Sequence, residues 1–424
     1  MSTIPGYGRS TQTVIYRGGA TGVKPAVPTS ANELEAAAHR IMSPEAWAYI
    51  AGSAGSGATT AANRASLDRH RIVPRMLRDV SQRNLSIELF GHRYDSPIIA
   101  APIGVLELAH RSADLAVARA AASLGVPFVF SNQASIPMEQ TAAVMGDAPR
   151  WFQLYWSSSD ELVASLVRRA EASGAQAIVV TLDTHMLGWR PRDLDLAYLP
   201  FIRGMGIAQY TSDPVFRELV HERMKQPAGA KPKVTAAAIR TLIAMTKRYP
   251  GPFGRNLRSG EPRAAVETFL DVFSRSSLEW QHLEFLREQT SLPIVLKGIQ
   301  HPGDAARAVE IGVDGIIVSN HGGRQVDGAI GSADALVTVV DTIAGRIPVL
   351  FDSGIRTGAD IATALALGAA AVLVGRPYVY GLSVAGETGV REVLRNLIAE
   401  FDLTLGLTGH TSAAQLDRDS VTMP

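Results

Sequence analysis

The run "SNHGGR" places His321 and Arg324 three residues apart, with only Gly322 and Gly323 between them, just where the apolar stretch "GIIV" leaves the interior. A histidine on a glycine turn gains little from packing, so its natural use is as a base near neutral pH. Asp183, at the end of another apolar run, suits the task of holding and stabilising its imidazolium. Arg324 and Arg190 can clamp a carboxylate. Lys297 supplies a fixed cation where negative charge develops. Glycine-bearing stretches "DSGIRTGAD" and "VGRP" bring Asp352, Gly354, Arg356, Gly375 and Arg376 together, a pattern suited to an anionic phosphate.

Such groups need a common scaffold. Short apolar runs at 96–105, 126–133, 150–156, 177–183, 292–299, 315–320, 347–354 and 370–377 alternate with helical patterns such as "DELVASLVRRAEASG" (160–174). Continuous apolar strands separated by helices predict a parallel sheet covered on its outer face, and eight units predict a closed (β/α)₈ TIM barrel, an α/β fold. An open doubly wound sheet is the competing arrangement, but no glycine fingerprint follows the first strand. In a barrel the carboxyl ends of the strands carry the chemistry, and the polar residues sort onto that rim: Gln153, Tyr155, Thr181, Asp183, Lys297, Ser319, His321, Asp352 and Gly375.

Composition removes several function classes. The chain has 424 residues, 46% of them hydrophobic, a formal net charge of +1 and no cysteine. It is long enough for a large core, has no charge excess that calls for nucleic acid or an anionic membrane, and lacks thiolate chemistry and disulfides. No stretch reads as a secretory signal or a bilayer span, so a cytoplasmic protein is expected, and no metal site is evident. Residues 1–30, rich in Gly, Ser, Thr and Pro, read as a loose arm preceding a helical extension and the barrel domain at 31–424.

Taken together, "SNHGGRQVD", "FDSGIRTGADIATALALGA", "VGRPYVYGL", "WFQLY", "VVTLDT" and "VLKGI" resemble the FMN-dependent L-2-hydroxy acid oxidase and dehydrogenase family over about residues 31–416, and the middle of the chain is most similar to the lactate 2-monooxygenase subgroup. The resemblance implies FMN as cofactor, an L-2-hydroxy acid and dioxygen as small-molecule partners, and a homo-oligomer, tetramer or octamer. It implies His321 as the proton acceptor with Asp183 paired to it, and Arg324 and Arg190 as carboxylate ligands. Tyr49 and Tyr155 would contact the substrate's carboxylate and hydroxyl. Lys297 would lie beside flavin N1. Pro102, Ile103, Gly104, Ser131, Gln153, Thr181 and Ser319 would surround the flavin ring, with Asp352, Gly354, Arg356, Gly375 and Arg376 along the ribityl chain and phosphate.

Two departures bear on specificity. Gln133 stands where glycolate oxidases carry tryptophan, and Gly104 replaces the alanine of many oxidases, which should leave space beside the flavin. A long segment at 191–290 separates the fourth and fifth strands, with helical patterns at 234–249 and 264–275 around the turn-rich "PGPFGRNLRSGEP". Such a length means a lid or a subunit interface. Residues 217–263 contain 11 Lys/Arg against 3 Asp/Glu, so a lid there would favour retention of an anionic product. The expected reaction is therefore oxidation of a 2-hydroxy acid, with oxidative decarboxylation of L-lactate to acetate, carbon dioxide and water as the monooxygenase outcome. Release of 2-oxo acid with peroxide, or a dehydrogenase using another acceptor, is the alternative within the family. Outside it stand a Schiff-base aldolase built on Lys297 and a non-catalytic phosphate-binding barrel.

Overall fold

A computed structural model describes residues 6–226 and 234–423. Eight parallel strands close into a barrel in sequence order: β1 (Ile98–Ala100), β2 (Phe128–Phe130), β3 (Arg150–Leu154), β4 (Ile178–Thr181), β5 (Ile294–Ile299), β6 (Gly315–Val318), β7 (Val349–Phe351) and β8 (Ala371–Val374), with β8 pairing back onto β1. Nearly every strand residue is buried, because barrel and helices cover both faces, which is why the strands read as unbroken apolar runs. The observed elements lie within the eight expected runs.

Side chains alternate across each strand. One set, including Phe128, Phe152, Ile178, Val180 and Phe351, packs outward against the helices. The other, Ile99, Val129, Trp151, Val179, Val295, Ile317, Leu350 and Leu373, fills the barrel. A two-stranded hairpin, Ile87–Leu89 with His92–Tyr94, plugs the amino end of the barrel. There Tyr94 accepts a hydrogen bond from Trp151 Nε1 at 3.2 Å and donates to Gln176 at 3.0 Å. Two residues further along each strand, the same inward direction belongs to Ser131, Gln153, Thr181, Lys297, Ser319, Asp352 and Gly375. The polar rim is thus the top layer of the barrel filling.

Where the composition suggests a loose arm, residues Tyr7–Ala20 form a helix docked on the long helix Arg376–Leu407. The amide of Gly8 donates to the buried Asp402, and a Cβ at Gly8 would strike Ala399 O at 2.6 Å, so glycine permits the close approach. Residues 1–5 lie outside the described part of the chain.

The segment between β4 and β5 is a set of helices. Helix Pro214–Lys225 is capped by Asp213, whose carboxylate also takes Arg169 Nη1 at 3.0 Å and Ser165 Oγ at 2.8 Å from the helix following β3. That buried pairing pins the segment to the barrel wall. Helices Ala236–Arg248 and Glu261–Val272 match the expected ones, while the turn-rich stretch between them contains a further short helix, Phe253–Ser259. Phe201, Tyr210, Phe216, Phe269 and Phe273 form its aromatic core, with ring centroids 4.8 to 6.5 Å apart.

Candidate active site

A cleft enclosing about 1080 Å³ of atom-free space, its open mouth included, lies over the carboxyl ends of the strands. Tyr49, Tyr155, Arg190, Lys297, His321, Arg324, Asp352, Gly354, Arg356, Gly375 and Arg376 all line it, as do Pro102 to Gly104. Asp183 and Ser319 stand behind these groups and bond to His321 and Lys297, while Ser131, Gln153 and Thr181 bond to one another.

His321 sits with φ of 58° at the head of a turn, followed by Gly322 at 65° and Gly323 at 75°. The left-handed conformation costs a non-glycine residue about 1 kcal/mol, and here it aims the ring back over the barrel. Glycine is required next: a Cβ at 323 would fall 2.3 Å from Thr60 Oγ1 and 2.7 Å from Thr60 N. His321 Nδ1 meets Asp183 Oδ1 at 2.7 Å, which leaves Nε2 as the nitrogen for substrate. Thr184 donates to the same Asp183 oxygen at 2.9 Å. Burial would raise the Asp183 carboxyl, but the charges of His321 and Lys297 and the two hydrogen bonds bring it down to about 2. For His321, burial outweighs the Asp183 anion and holds the imidazole below its ordinary 6.5. The ring is neutral and able to accept a proton at pH 7.

Arg324 and Arg190 face the cleft from two adjoining loops. Arg324 donates to Gly52 O at 3.1 Å and lies over the Tyr49 ring at 5.1 Å. Burial and the nearby Arg190 push its guanidinium below the usual arginine range. Among the described residues neither arginine has a carboxylate in ion-pairing distance, so two buried cations await an anion. Burial raises the phenols of Tyr49 and Tyr155, the latter to about 12, and both remain protonated donors.

Tyr49 comes from far upstream. Ser43 accepts from Ala46 N, and Pro44 fits the first turn of helix Pro44–Ala51, which delivers Tyr49 to the rim. Arg376, expected at a phosphate, lines the cleft and gives Nε, Nη1 and Nη2 to the carbonyls of Ile50, Gly322 and Gly52 at 3.1, 3.0 and 2.9 Å. It straps the Tyr49 segment to the His321 turn.

The rim also fits FMN. The Gln153 amide is fixed between Ser131 Oγ at 3.1 Å and Thr181 Oγ1 at 3.0 Å, a polar edge for a flat heterocycle. Lys297 is held by Asp352 at 3.0 Å and Ser319 at 2.8 Å; the Asp352 and Asp183 anions outweigh its burial and keep it charged. At the far end the helix beginning at Arg376 has no side-chain cap, so its first-turn N–H groups and Arg356 suit a phosphate. Gly354, at φ of 141°, has space for no side chain: a Cβ would fall 2.9 Å from Leu67 Cδ1.

Two expectations need revision. A Cβ at Gly104 would meet Gln133 Cβ at 3.1 Å, so the absent methyl accommodates Gln133 rather than opening free space. The basic character of the 191–290 segment is not what it presents to the cleft. Among the described residues it lines the cleft with Phe201 and Phe273, while Arg223, Arg248 and Arg263 pair with Glu267 or Asp271, Glu107 and Glu267. Lys231 and Lys233 lie outside the described residues.

Thr184, Leu187, Gln325 and Ser353 belong to the site although their types alone did not mark them. Ser353 donates to Asp352 at 2.6 Å and accepts from Gly322 N at 2.9 Å. For Thr184, Gln325 and Ser353 adjacency to Asp183, Arg324 and Asp352 is the available signal, and Leu187 carries none.

The comparisons agree with this geometry. Residues 38–423 match the model of the FMN-dependent dehydrogenase family. The chain is 42% identical to the FMN-dependent alpha-hydroxy acid dehydrogenase qulF of Penicillium citrinum, covering 97% of this chain and 94% of that protein. It is 39% identical to an L-lactate oxidase of Lysinibacillus sphaericus, covering 90% and 89%. A crystal structure of mandelate oxidase superposes with a TM-score of 0.74 at 35% identity, covering 93% of this chain and 98% of that one. With a paired histidine and aspartate, two unmatched arginines and a flavin-sized cleft on a closed barrel, the chain belongs to the FMN-dependent dehydrogenase family and is an FMN-dependent 2-hydroxy acid oxidoreductase.

Proposed function

We propose that the substrate is an L-2-hydroxy acid with a compact apolar substituent, that dioxygen is the electron acceptor, and that the oxo acid is held long enough to be decarboxylated. With lactate the balance is one lactate and one dioxygen to one acetate, one carbon dioxide and one water. The supporting observation is that the 191–290 segment lines with Phe201 and Phe273 the same cleft that His321 and Arg324 line. Such a lining disfavours a polar substituent and slows exchange of the bound product with water.

Arg324 and Arg190 grip the carboxylate, and the Tyr49 and Tyr155 hydroxyls donate to substrate oxygens. His321 Nε2 accepts the proton that the substrate gives up, and Asp183 stabilises the resulting imidazolium. FMN, held by Gln153, Thr181, Lys297 and the Gly354 to Arg376 end of the cleft, supplies the capacity to take up two electrons and pass them to dioxygen. Pro102, Ile103 and Gly104 would flank its ring. Lys297 provides positive charge there.

A second reading follows from the L-lactate oxidase relative: release of the oxo acid with hydrogen peroxide. The test is to mix the FMN-loaded protein anaerobically with a panel of L-2-hydroxy acids, then admit oxygen. Stoichiometric acetate from lactate supports the decarboxylating outcome. Stoichiometric pyruvate and peroxide would replace it with the oxidase. A flavin that no hydroxy acid bleaches would refute both.

A further inference from the structure

Gln325 does not line the cleft, yet its amide uses its full hydrogen-bonding capacity on the 183–190 segment, which lines it with Thr184, Leu187 and Arg190. Nε2 donates to Asp183 O at 2.7 Å and Met186 O at 2.9 Å. Oε1 accepts from Arg190 Nη2 at 2.7 Å and Gly188 N at 3.3 Å. The two segments lie so close that a Cβ at Gly188 would come within 2.7 Å of the carbonyls of both Arg324 and Gln325. Arg190 Nε adds a bond to Arg324 O at 3.1 Å. Its guanidinium is therefore fixed from the 324–325 side by two bonds, both to uncharged oxygens, and keeps its charge for an anion.

We propose that Gln325 is a positioning residue for carboxylate recognition: its amide sets the direction of the Arg190 guanidinium and ties it to the loop that carries Asp183. The inference rests on the reading of Arg190 as a carboxylate ligand. Only an amide meets the requirement. Glutamate would offer no donor to the two carbonyls and would neutralise Arg190, and methionine would leave both sides unpaired.

The test uses FMN-loaded protein and oxalate as probe, followed by the change in the flavin's visible spectrum. This needs no turnover and so stays separate from the proposed reaction. Gln325→Met should weaken oxalate binding about 10- to 100-fold, the factor carried by one hydrogen bond to a charged group, and raise KM for the hydroxy acid in step with kcat changed less than about threefold. In an Arg190→Met background the same substitution should change oxalate binding less than about twofold. If Gln325→Met folds poorly, the near-isosteric Gln325→Glu should show the same weakening. Unchanged oxalate binding in either single variant, an equal loss in the Arg190→Met background, or a wild-type enzyme that does not bind oxalate overturns the inference. A wild type that binds oxalate but oxidises no hydroxy acid overturns only the proposed reaction.

Discussion

Asp183→Asn isolates the charge behind the base while preserving its shape. Asp183 titrates near 2 rather than at its ordinary 3.8, although burial acts in the opposite direction. A displacement of nearly two pH units corresponds to about 2.5 kcal/mol of net preference for the anion, to which the His321 charge is the largest favourable contributor. Losing half to all of that when His321 becomes an imidazolium slows the proton-accepting step by about 10- to 70-fold. The assay is anaerobic stopped-flow bleaching of the flavin by the hydroxy acid across pH. In the wild type the rate should rise with pH through a limb below 6.5, because only neutral His321 accepts a proton and burial holds it low. Without the Asp183 anion the imidazolium is less favoured, so the limb in Asp183→Asn must move to still lower pH. Bleaching within about threefold of wild type, or a limb displaced upward, would refute the proposed role of the pair.

His321→Ala should leave the protein yellow but abolish bleaching, and loss of bound FMN on gel filtration would instead mark the histidine as structural. Phe273→Ala should shift preference toward bulkier hydroxy acids and raise the share of free peroxide among the products, measured by oxygen-coupled product analysis, whereas the more deeply packed Phe201→Ala should also cost about 3–5 kcal/mol in denaturant unfolding. Lys297→Met should cost about 3–5 kcal/mol by leaving the buried Asp352 unpaired, and Lys297→Met with Asp352→Asn should recover part of it. Asp114 accepts the amides of Ser135 and Ile136 yet is raised by burial to about 7. The folded state therefore holds its proton more tightly than the unfolded chain, and stability is lost as pH rises from 3.8 to about 7, by as much as about 4 kcal/mol. Asp114→Asn should raise Tm at pH 8 and leave it little changed at pH 4.

The barrel was legible because burial on both faces forces unbroken apolar strands, and the rim was legible because the residue two positions past an inward apolar one faces the same way. Trp151 to Gln153, Val295 to Lys297 and Ile317 to Ser319 follow that rule. What escaped depends on contacts between segments distant in sequence. Nothing local says that Arg376 joins residues 50–52 to residue 322, or that Gln325 spans to Arg190. The helix at Tyr7–Ala20 has ordinary local preference for disorder, with several glycines, and is ordered by docking against Arg376–Leu407. Among the described residues, the arginines at 223, 248 and 263 pair with carboxylates away from the cleft, whereas Phe201 and Phe273 of the 191–290 segment line it.

The guanidinium at 376 joins the earliest part of the pocket to one of the latest. A ribosome has to add more than 300 residues after Tyr49 before that segment acquires its anchor. Nascent chains stopped short of Arg376 lack the fastening for the substrate-gripping corner, so ligand competence cannot precede its synthesis.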